Sequence, residues 1–594
     1  MKYLFVFSLI AMSFLSACNN SNQTNMTSDS TSTKDTSGLN RKWWKEAVVY
    51  QIYPRSFKDD NGDGVGDLKG IISKLDYIKS LGIDVIWLNP IYSSPNGDNG
   101  YDISDYQNIM QQFGTMNDFD ALLKGMHERG LKLVMDLVVN HSSDQHEWFK
   151  QSRSSRTNPY RDYYHWWPAE KVAPPHRYSF FDVNNEAWKY DSSTNSYYLH
   201  YFGDFQPDLN WENPKVREEI FSMMRFWFDK GVDGFRMDVI PFISKDTTFP
   251  PLPAKYNGNF VDYYAHGPHV HDYLQQMNKE VMSKYDVMTV AEGIGLTTND
   301  AHDYVDDDRH ELNMLYHFEG VSLGYLPNQF KVPDPKGYSV VEFKKIYSKW
   351  DSVFENKGWG TVFLGNHDQP RMVTRWGNDA PEFRELSSKM LTAFLMTMRA
   401  TPYYYNGDEL GMNNIKFDKI DDYRDVESIN MYKQIKEKGG DLQAFLNAQK
   451  ISARDNSRTP FQWNDSANAG FTTGTPWLKV NPNYKTVNVE AEEKDSNSCL
   501  NYFRKVIKLR KDNLVLVYGK YTLLDAANPQ VYAYTRELKG RKILVLLNFS
   551  ATPATANIGV DLTNANVLID NYTTANNTTA LRPYEAAVYE VSEK

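Results

Sequence analysis

Cysteine is almost missing. Cys18 and Cys499 are the only two in 594 residues, so at most one disulfide could form, and the folded part is expected to stand without one. Positive charge is not in surplus either. Lys and Arg number 65 against 75 Asp and Glu, a net charge of −10, and no Lys/Arg-rich run occurs, which removes the electrostatic case for nucleic acid or another polyanion as partner. With 34 Gly and 26 Pro, the chain is far from collagen-like or wholly disordered compositions. No apolar run reaches the roughly 18 residues that a membrane span requires. What is abundant is aromatic: 14% of the residues, including 14 Trp and 39 Tyr. Such rings make flat, partly apolar, hydrogen-bonding walls, suited to a large core or to a carbohydrate-like ligand.

The first forty residues stand apart. Lys2 precedes an apolar stretch from Tyr3 to Leu15, the size of a secretory signal core, so residues 1–17 are expected to be a cleaved signal peptide. Leu15-Ser16-Ala17-Cys18 resembles a bacterial lipobox, which implies lipidation of Cys18. Residues 19–38 contain 14 Ser, Thr or Asn and too little apolar surface to offset their conformational entropy, so 18–41 is expected to be a lipidated cysteine with a disordered tether. This organisation implies an extracytoplasmic lipoprotein, on the periplasmic face rather than the cell surface because no acidic cluster follows the cysteine. The membrane would then be touched through the lipid alone.

From Trp43 onward, short β-rich apolar runs alternate with longer helical patterns, the signature of a parallel sheet with crossover helices. Eight strands are predicted: Ala47–Tyr53, Asp84–Asn89, Lys132–Asn140, Gly234–Val239, Val287–Glu292, Leu312–Phe318, Thr361–Gly365 and Thr401–Tyr405. Eight is the number of a barrel, so the expected class is α/β, a (β/α)8 TIM barrel over 42–142 and 206–513. A helix is predicted at Leu68–Leu81, where Ile71, Ile72, Leu75 and Ile78 recur at helical spacing and Gly82 ends the pattern. The long gap after the third strand, dense in Trp and Tyr, predicts an inserted subdomain at 143–205. After Asn513, runs at Val515–Tyr518, Tyr521–Leu523, Val531–Glu537, Ile543–Phe549, Val567–Ile569 and Ala586–Val591 predict a C-terminal antiparallel β domain, a sandwich, over 514–594.

In such a barrel, chemistry sits at the C-terminal ends of the strands. The third ends in Asp136-Leu-Val-Val-Asn140-His141, the fourth in Gly234-Phe-Arg236-Met-Asp238-Val239, the fifth in Ala291-Glu292-Gly293, and the seventh runs into Gly365-Asn366-His367-Asp368-Gln369-Pro370-Arg371. Four strand ends each presenting ionisable groups are poorly explained by structure alone. These segments resemble the four signature regions of the α-amylase superfamily, glycoside hydrolase family 13, over nearly the whole chain from about residue 42. Gln206-Pro-Asp-Leu-Asn-Trp211 resembles the auxiliary region of its oligo-1,6-glucosidase and α-glucosidase branch.

The resemblance implies a glycosidase acting with retention, in which a nucleophilic carboxylate and an acid/base carboxyl flank an oxocarbenium-like transition state. It casts Asp238 as nucleophile, Glu292 as acid/base and Asp368 as the group gripping sugar hydroxyls. For Glu292 to hold a proton at the outset it must be buried or face negative charge, which Asp238 and Asp368 would supply. Arg236, two residues before Asp238, lies on the same strand face and can orient it. The resemblance further implies that His141 and His367 bind the same sugar, that Asp98 and Tyr101 close the terminal-sugar pocket, giving exo action, and that Arg454 in Ala453-Arg454-Asp455-Asn456-Ser457-Arg458 contacts that sugar too.

A second constellation is Asp59-Asp60-Asn61-Gly62-Asp63-Gly64-Val65-Gly66-Asp67. Oxygen ligands at Asp59, Asn61, Asp63 and Asp67, the Val65 carbonyl and a glycine at position 6 resemble the start of an EF-hand loop, without its closing glutamate, since position 12 is Gly70. A structural Ca²⁺ is expected there, and no organic cofactor.

Linkage preference rests on small features. Val239 after the nucleophile resembles the α-1,6-acting members, while Gly293-Ile294-Gly295 departs from the Met-Pro pattern common in oligo-1,6-glucosidases. The expected activity is removal of terminal α-1,6-linked glucose from short oligosaccharides, with α-1,4-linked glucose as the second candidate linkage. The alternatives are an α-1,4-glucosidase or a sucrose- or isomaltulose-acting hydrolase or isomerase. Against isomerisation, Lys336–Trp350 shows no arginine-rich loop. A glycan-binding protein on an inactive barrel is the remote alternative, disfavoured because Asp238, Glu292 and Asp368 are all present. The oligomeric state is not legible in the sequence.

Overall fold

The computed structural model describes residues 38–327, 329, 331–562 and 565–591. The signal-peptide and Cys18 expectations and nearly all of the tether lie outside the described residues. Among these, no helix is long and apolar enough to cross a membrane.

Eight parallel strands form the expected barrel: β1 (Val49–Ile52), β2 (Val85–Leu88), β3 (Lys132–Leu137), β4 (Gly234–Met237), β5 (Met288–Gly293), β6 (Met314–His317), β7 (Thr361–Val362) and β8 (Thr401–Tyr405). They pair in the order β6-β5-β4-β3-β2-β1-β8-β7, and a parallel bridge between Leu315 and Gly360 closes the ring. Buried on both faces, these strands are near-continuous apolar runs, Val-Tyr-Gln-Ile and Val-Ile-Trp-Leu among them, as parallel sheets demand. Gly234 permits the close approach of β4 to β5, since a Cβ there would lie 2.1 Å from the Met288 carbonyl oxygen.

Several boundaries depart from expectation. β3 ends at Leu137, so Val138–Asn140 leave the sheet, and β7 is two residues long rather than five. The predicted helix at 68–81 is broken into Leu68–Ile72 and Leu75–Ser80. Gly70 presses on the backbone of Lys58, and Ser73 bonds back to the Gly70 carbonyl at 2.7 Å, turning the chain before the second piece. Leu68, Ile71, Leu75 and Ile78 stay buried, so the stripe survives the bend.

Residues 143–205 hold the helix Glu147–Ser154 and a three-stranded antiparallel sheet of Trp166–Pro168, Ser196–Leu199 and Trp188–Asp191. A second excursion, after β8, carries helices Val426–Glu437 and Leu442–Ser452 and then the turn at Arg454–Asn456. At the C-terminus, Val515–Tyr518 is not a strand but part of a short helix, Leu514–Tyr518. Its apolar run is buried either way, and two buried arginines, Arg510 and Arg536, satisfy the Leu516 carbonyl at 3.1 and 2.8 Å, which suits a helix end. Beyond it, β9 (Lys520–Leu524), β10 (Val531–Leu538), β11 (Arg541–Asn548), β12 (Asn566–Asp570) and β13 (Ala586–Val591) form an antiparallel sheet in the order β9-β10-β11-β13-β12. Alternate residues divide between two cores: Tyr532, Tyr534 and Val545 join the barrel's core, while Ala533, Leu544 and Leu546 belong to a smaller one on the opposite face.

Candidate active site

The barrel strands gather charged groups around one guanidinium. Arg236 on β4 is fully buried. Its Nη1 donates to Asp136 Oδ1 at 2.7 Å and to Asp238 Oδ1 at 2.5 Å, its Nη2 lies 2.7 Å from Glu292 Oε2, and its Nε donates to the Tyr316 hydroxyl at 2.9 Å. Three strands, β3, β4 and β5, thus deliver three carboxylates to a single cation. One positive charge cannot neutralise three negative ones, so protons must stay on some of them. Burial pushes Asp238 well above the ordinary carboxylate range, with the Arg236 charge opposing and the Glu292 charge reinforcing the shift. Burial likewise lifts Asp136 to about 6 against the pull of Arg236.

Asp368, on the loop after β7, is the opposite case. Burial works against its ionisation, but His367, Arg454 and Arg458 outweigh it and hold the carboxyl well below the usual range. Arg454 Nη1 and Arg458 Nη2 each donate to its Oδ1 at 3.0 Å, and His367 Nε2 lies 3.0 Å from Oδ2. Gln51 Nε2 is 2.8 Å from His367 Nδ1. The amide N–H fixes Nδ1 as acceptor, so the ring's proton sits on Nε2, facing Asp368.

A cavity of about 890 Å³ opens over this cluster, lined by Asp98, Tyr101, His141, Asp238, Glu292, Asp368 and Arg454 among others. Seven of the nine expected catalytic and sugar-binding side chains therefore share one space. Arg236 and His367 do not line it. Arg236 holds the carboxylates from beneath, and the His367 ring is stacked on Tyr101 with centroids 5.3 Å apart and planes within 7°. His367 thus supports Asp368 in this conformation rather than facing the cavity itself. His141 faces the cavity with a neutral ring, burial holding it down to about 3, and its Nε2 meets the Tyr101 carbonyl at 3.1 Å. Arg454 reaches from Asp425, through Nε at 3.0 Å, to Asp98 at 3.5 Å, and both Arg454 and Asp98 line the cavity. Burial lifts Asp98 to about 7, opposed by Arg454 and Arg458. Phe181 and Phe202 supply apolar wall beside these groups.

Four contributors had no assigned role in the sequence reading. Asp136 carried a visible signal, a lone carboxylate inside the apolar β3 run. Arg458 lay one turn beyond Arg454 in the same motif, and Gln206, which donates to Asp98 at 3.1 Å, opened a quoted segment. Asp425 had none, because only the fold brings it beneath Arg454.

The 59–67 loop is closed on its own backbone. Asp59 accepts from Gly62 N at 2.7 Å and Gly64 N at 2.8 Å, Asn61 from Asp63 N at 2.9 Å, and Asp63 from Val65 N at 2.8 Å. Asp67 accepts from Asp60 N and caps the following helix at Gly70 N. Among the described residues no three acidic, histidine or cysteine side chains converge as a metal cluster, while the donor set expected of this loop also counts the Asn61 amide and the Val65 carbonyl. Each of Asp59, Asn61 and Asp63 keeps a lone pair on a side-chain oxygen, and with the Val65 carbonyl these are donors of the hard-oxygen type that Ca²⁺ takes.

Known proteins resemble this chain over most of its length. The family model described as alpha amylase, catalytic domain, matches residues 51–519, and that of the maltogenic amylase C-terminal domain matches 521–588. The chain is 51% identical to an oligo-1,6-glucosidase of Parageobacillus thermoglucosidasius and 49% identical to one of Bacillus cereus, in both cases over 93% of this chain and 100% of the relative. Among solved structures, an isomaltulose synthase from Klebsiella sp. LX3 superposes with a TM-score of 0.90 at 46% identity, and a trehalulose synthase from Pseudomonas mesoacidophila MX-45 with 0.90 at 45%, each covering 93% of this chain and all of the other.

Proposed function

Because the chain belongs to the α-amylase family of glycoside hydrolases, we propose that it is a retaining, exo-acting α-glucosidase that removes terminal α-1,6-linked glucose from short oligosaccharides. The observation that carries this is the pair of Asp238 and Glu292 on one buried guanidinium, lining a cavity together with Asp98 and Arg454. Carboxyls sharing a guanidinium are close-set, in keeping with the ~5 to 5.5 Å spacing of retaining enzymes rather than the wider gap that admits a water.

The steps follow from these groups. Asp238 attacks the anomeric carbon while Glu292 gives its proton to the glycosidic oxygen; the bond between them breaks and a glycosyl ester forms on Asp238. Glu292, now a carboxylate, takes a proton from water as that water attacks the same carbon, and Asp238 is released. Asp368, kept ionised, accepts hydrogen bonds from the sugar hydroxyls, and Arg236 holds the nucleophile aimed. The relatives at about half identity carry the name oligo-1,6-glucosidase, which supports the linkage together with Val239. The synthases of isomaltulose and trehalulose support a second reading, a sucrose-acting enzyme.

Glucose release from isomaltose, maltose, sucrose and isomaltulose, compared as kcat/KM, separates these. Isomaltose is expected to lead maltose by about tenfold or more, with all activity lost in Asp238→Asn. A lead for maltose would keep the mechanism and overturn the linkage; a lead for sucrose would favour the second reading; no turnover of any would overturn the function.

We further propose that Ca²⁺ binds the 59–67 loop through Asp59, Asn61, Asp63, Asp67 and the Val65 carbonyl, and stiffens the first barrel loop without touching substrate. From Cys18 and its flanks we propose an extracytoplasmic lipoprotein, tested by metabolic labelling with a palmitate analogue in wild type and Cys18→Ala.

A further inference from the structure

We propose that Val239 is a positioning residue whose backbone N–H determines which oxygen of Glu292 carries the catalytic proton; this rests on Glu292 being the acid/base. Val239 adopts φ 34°, ψ 38°, a left-handed conformation. For a β-branched residue that geometry is strained, and glycine would adopt it freely. The twist turns the chain sharply after Asp238 into the Ile240–Phe242 turn, closed by Phe242 N on the Val239 carbonyl at 2.8 Å. The Val239 N–H, in the peptide that joins it to Asp238, faces β5 and donates to Glu292 Oε2 at 2.9 Å.

The same oxygen is 2.7 Å from Arg236 Nη2. An oxygen that accepts the Val239 N–H and lies beside the Arg236 positive charge is the disfavoured place for a proton, which the free oxygen holds without facing either group. Oε2 is therefore the unprotonated oxygen in both forms of Glu292, and the proton resides on Oε1, which meets no donor among the described residues. In the first step that proton passes from Oε1 to the glycosidic oxygen as the anomeric bond breaks and its electron pair stays on the leaving oxygen. In the second, Oε1 takes the proton from water. Without the N–H, the carboxyl could rotate and present either oxygen, so protonation of the leaving group would lose its fixed direction.

Replacing Val239 by its α-hydroxy acid analogue, which exchanges the N–H for an ester oxygen and keeps the side chain, tests this. Isomaltose needs its leaving oxygen protonated, whereas 2,4-dinitrophenyl α-glucoside leaves with little help. The ester variant is expected to lose ~10- to 100-fold in kcat on isomaltose and less than threefold on the aryl glucoside. Equal loss on both substrates by the ester variant, or no loss on either, would overturn the proposal. Should the ester variant fail to fold, a high-resolution structure of Glu292→Gln with isomaltose decides. The amide oxygen should accept from Val239 N and the amide nitrogen should face the glycosidic oxygen; the reverse orientation overturns the proposal. Glu292→Gln on the same two substrates guards the premise: if it too shows no dependence on leaving group, it is the acid/base reading that fails, not the assignment of the proton.

Discussion

At the scale of single residues, the site is an exercise in sharing too little positive charge among too many carboxylates. Among the described residues Arg236 is the one cation paired with Asp136, Asp238 and Glu292, so removing it leaves buried carboxyls with no counter-charge. Arg236→Met is expected to lower stability by about 3 to 5 kcal/mol and to abolish turnover, read by thermal unfolding and isomaltose hydrolysis. Arg236→Lys should not restore activity, because a single ammonium cannot span two neighbouring carboxyls as the forked guanidinium does. Away from the site, Glu492 is buried and lifted to about 8, mainly by desolvation, with Arg384 opposing at 3.8 Å. Its folded value lies above its ordinary 4.5, so the folded state retains a proton that the unfolded chain gives up. That contribution to stability is complete below pH 4.5 and is lost as pH rises through about 8. Glu492→Gln, which keeps an acceptor for Leu500 N, should therefore gain on the wild type between pH 5 and 8, by ~2 °C in Tm at the upper end. Equal Tm differences at both pH values would contradict this.

At the scale of elements, the 59–67 loop shows what short-range spacing can and cannot determine. Its alternating oxygens were legible in the sequence, but the way they close on backbone N–H groups was not, since that depends on Thr472 reaching Asp59 and on the strand of chain at Gly474–Pro476 lying against the glycines. Gly64 has φ +94°, and a Cβ there would lie 1.8 Å from the Thr475 carbonyl oxygen. If Ca²⁺ binds as proposed, EDTA lowers Tm and added Ca²⁺ restores it in the wild type, while Asp59→Asn shows neither change. Gly64→Ala should be destabilised with or without the ion. The helix at 68–81 carries a similar lesson. Its apolar periodicity located the buried stripe correctly, while the break at Ser73–Lys74 comes from the packing of Gly70 on Lys58, a contact between segments.

At the scale of the whole molecule, the eight strands and the residues at their ends were readable because parallel barrel strands are continuous apolar runs and catalytic groups interrupt them at one end. Asp238, Glu292 and Asp368 stood out for that reason. Asp425 and Arg458 did not, because their roles depend on the excursion after β8 folding back over the loops of β2 and β7. The short helix at Leu514–Tyr518 was mistaken for a strand since four apolar residues fit either element; its neighbours decide. Arg510, fully buried, donates to the carbonyls of Met396, Met398, Ala400 and Leu516 at 2.6 to 3.1 Å, tying the barrel's last helix segments to the start of the C-terminal domain. Arg510→Met takes this partner from the Met396, Met398 and Ala400 carbonyls, while Leu516 keeps Arg536; each buried carbonyl left unpaired costs about 1 to 3 kcal/mol, and Tm should fall by ~5 °C or more.

The account turns on a covalent glycosyl ester at Asp238, and trapping it is the most direct test. The enzyme would be incubated with 5-fluoro-α-D-glucosyl fluoride, whose good leaving group speeds ester formation and whose ring fluorine slows its breakdown, then digested and analysed by mass spectrometry. The predicted result is one fluoroglucosyl adduct, on the peptide containing Asp238, absent from Asp238→Asn. An adduct on Glu292 or Asp368, or release of β-glucose from isomaltose with no adduct at all, would contradict it.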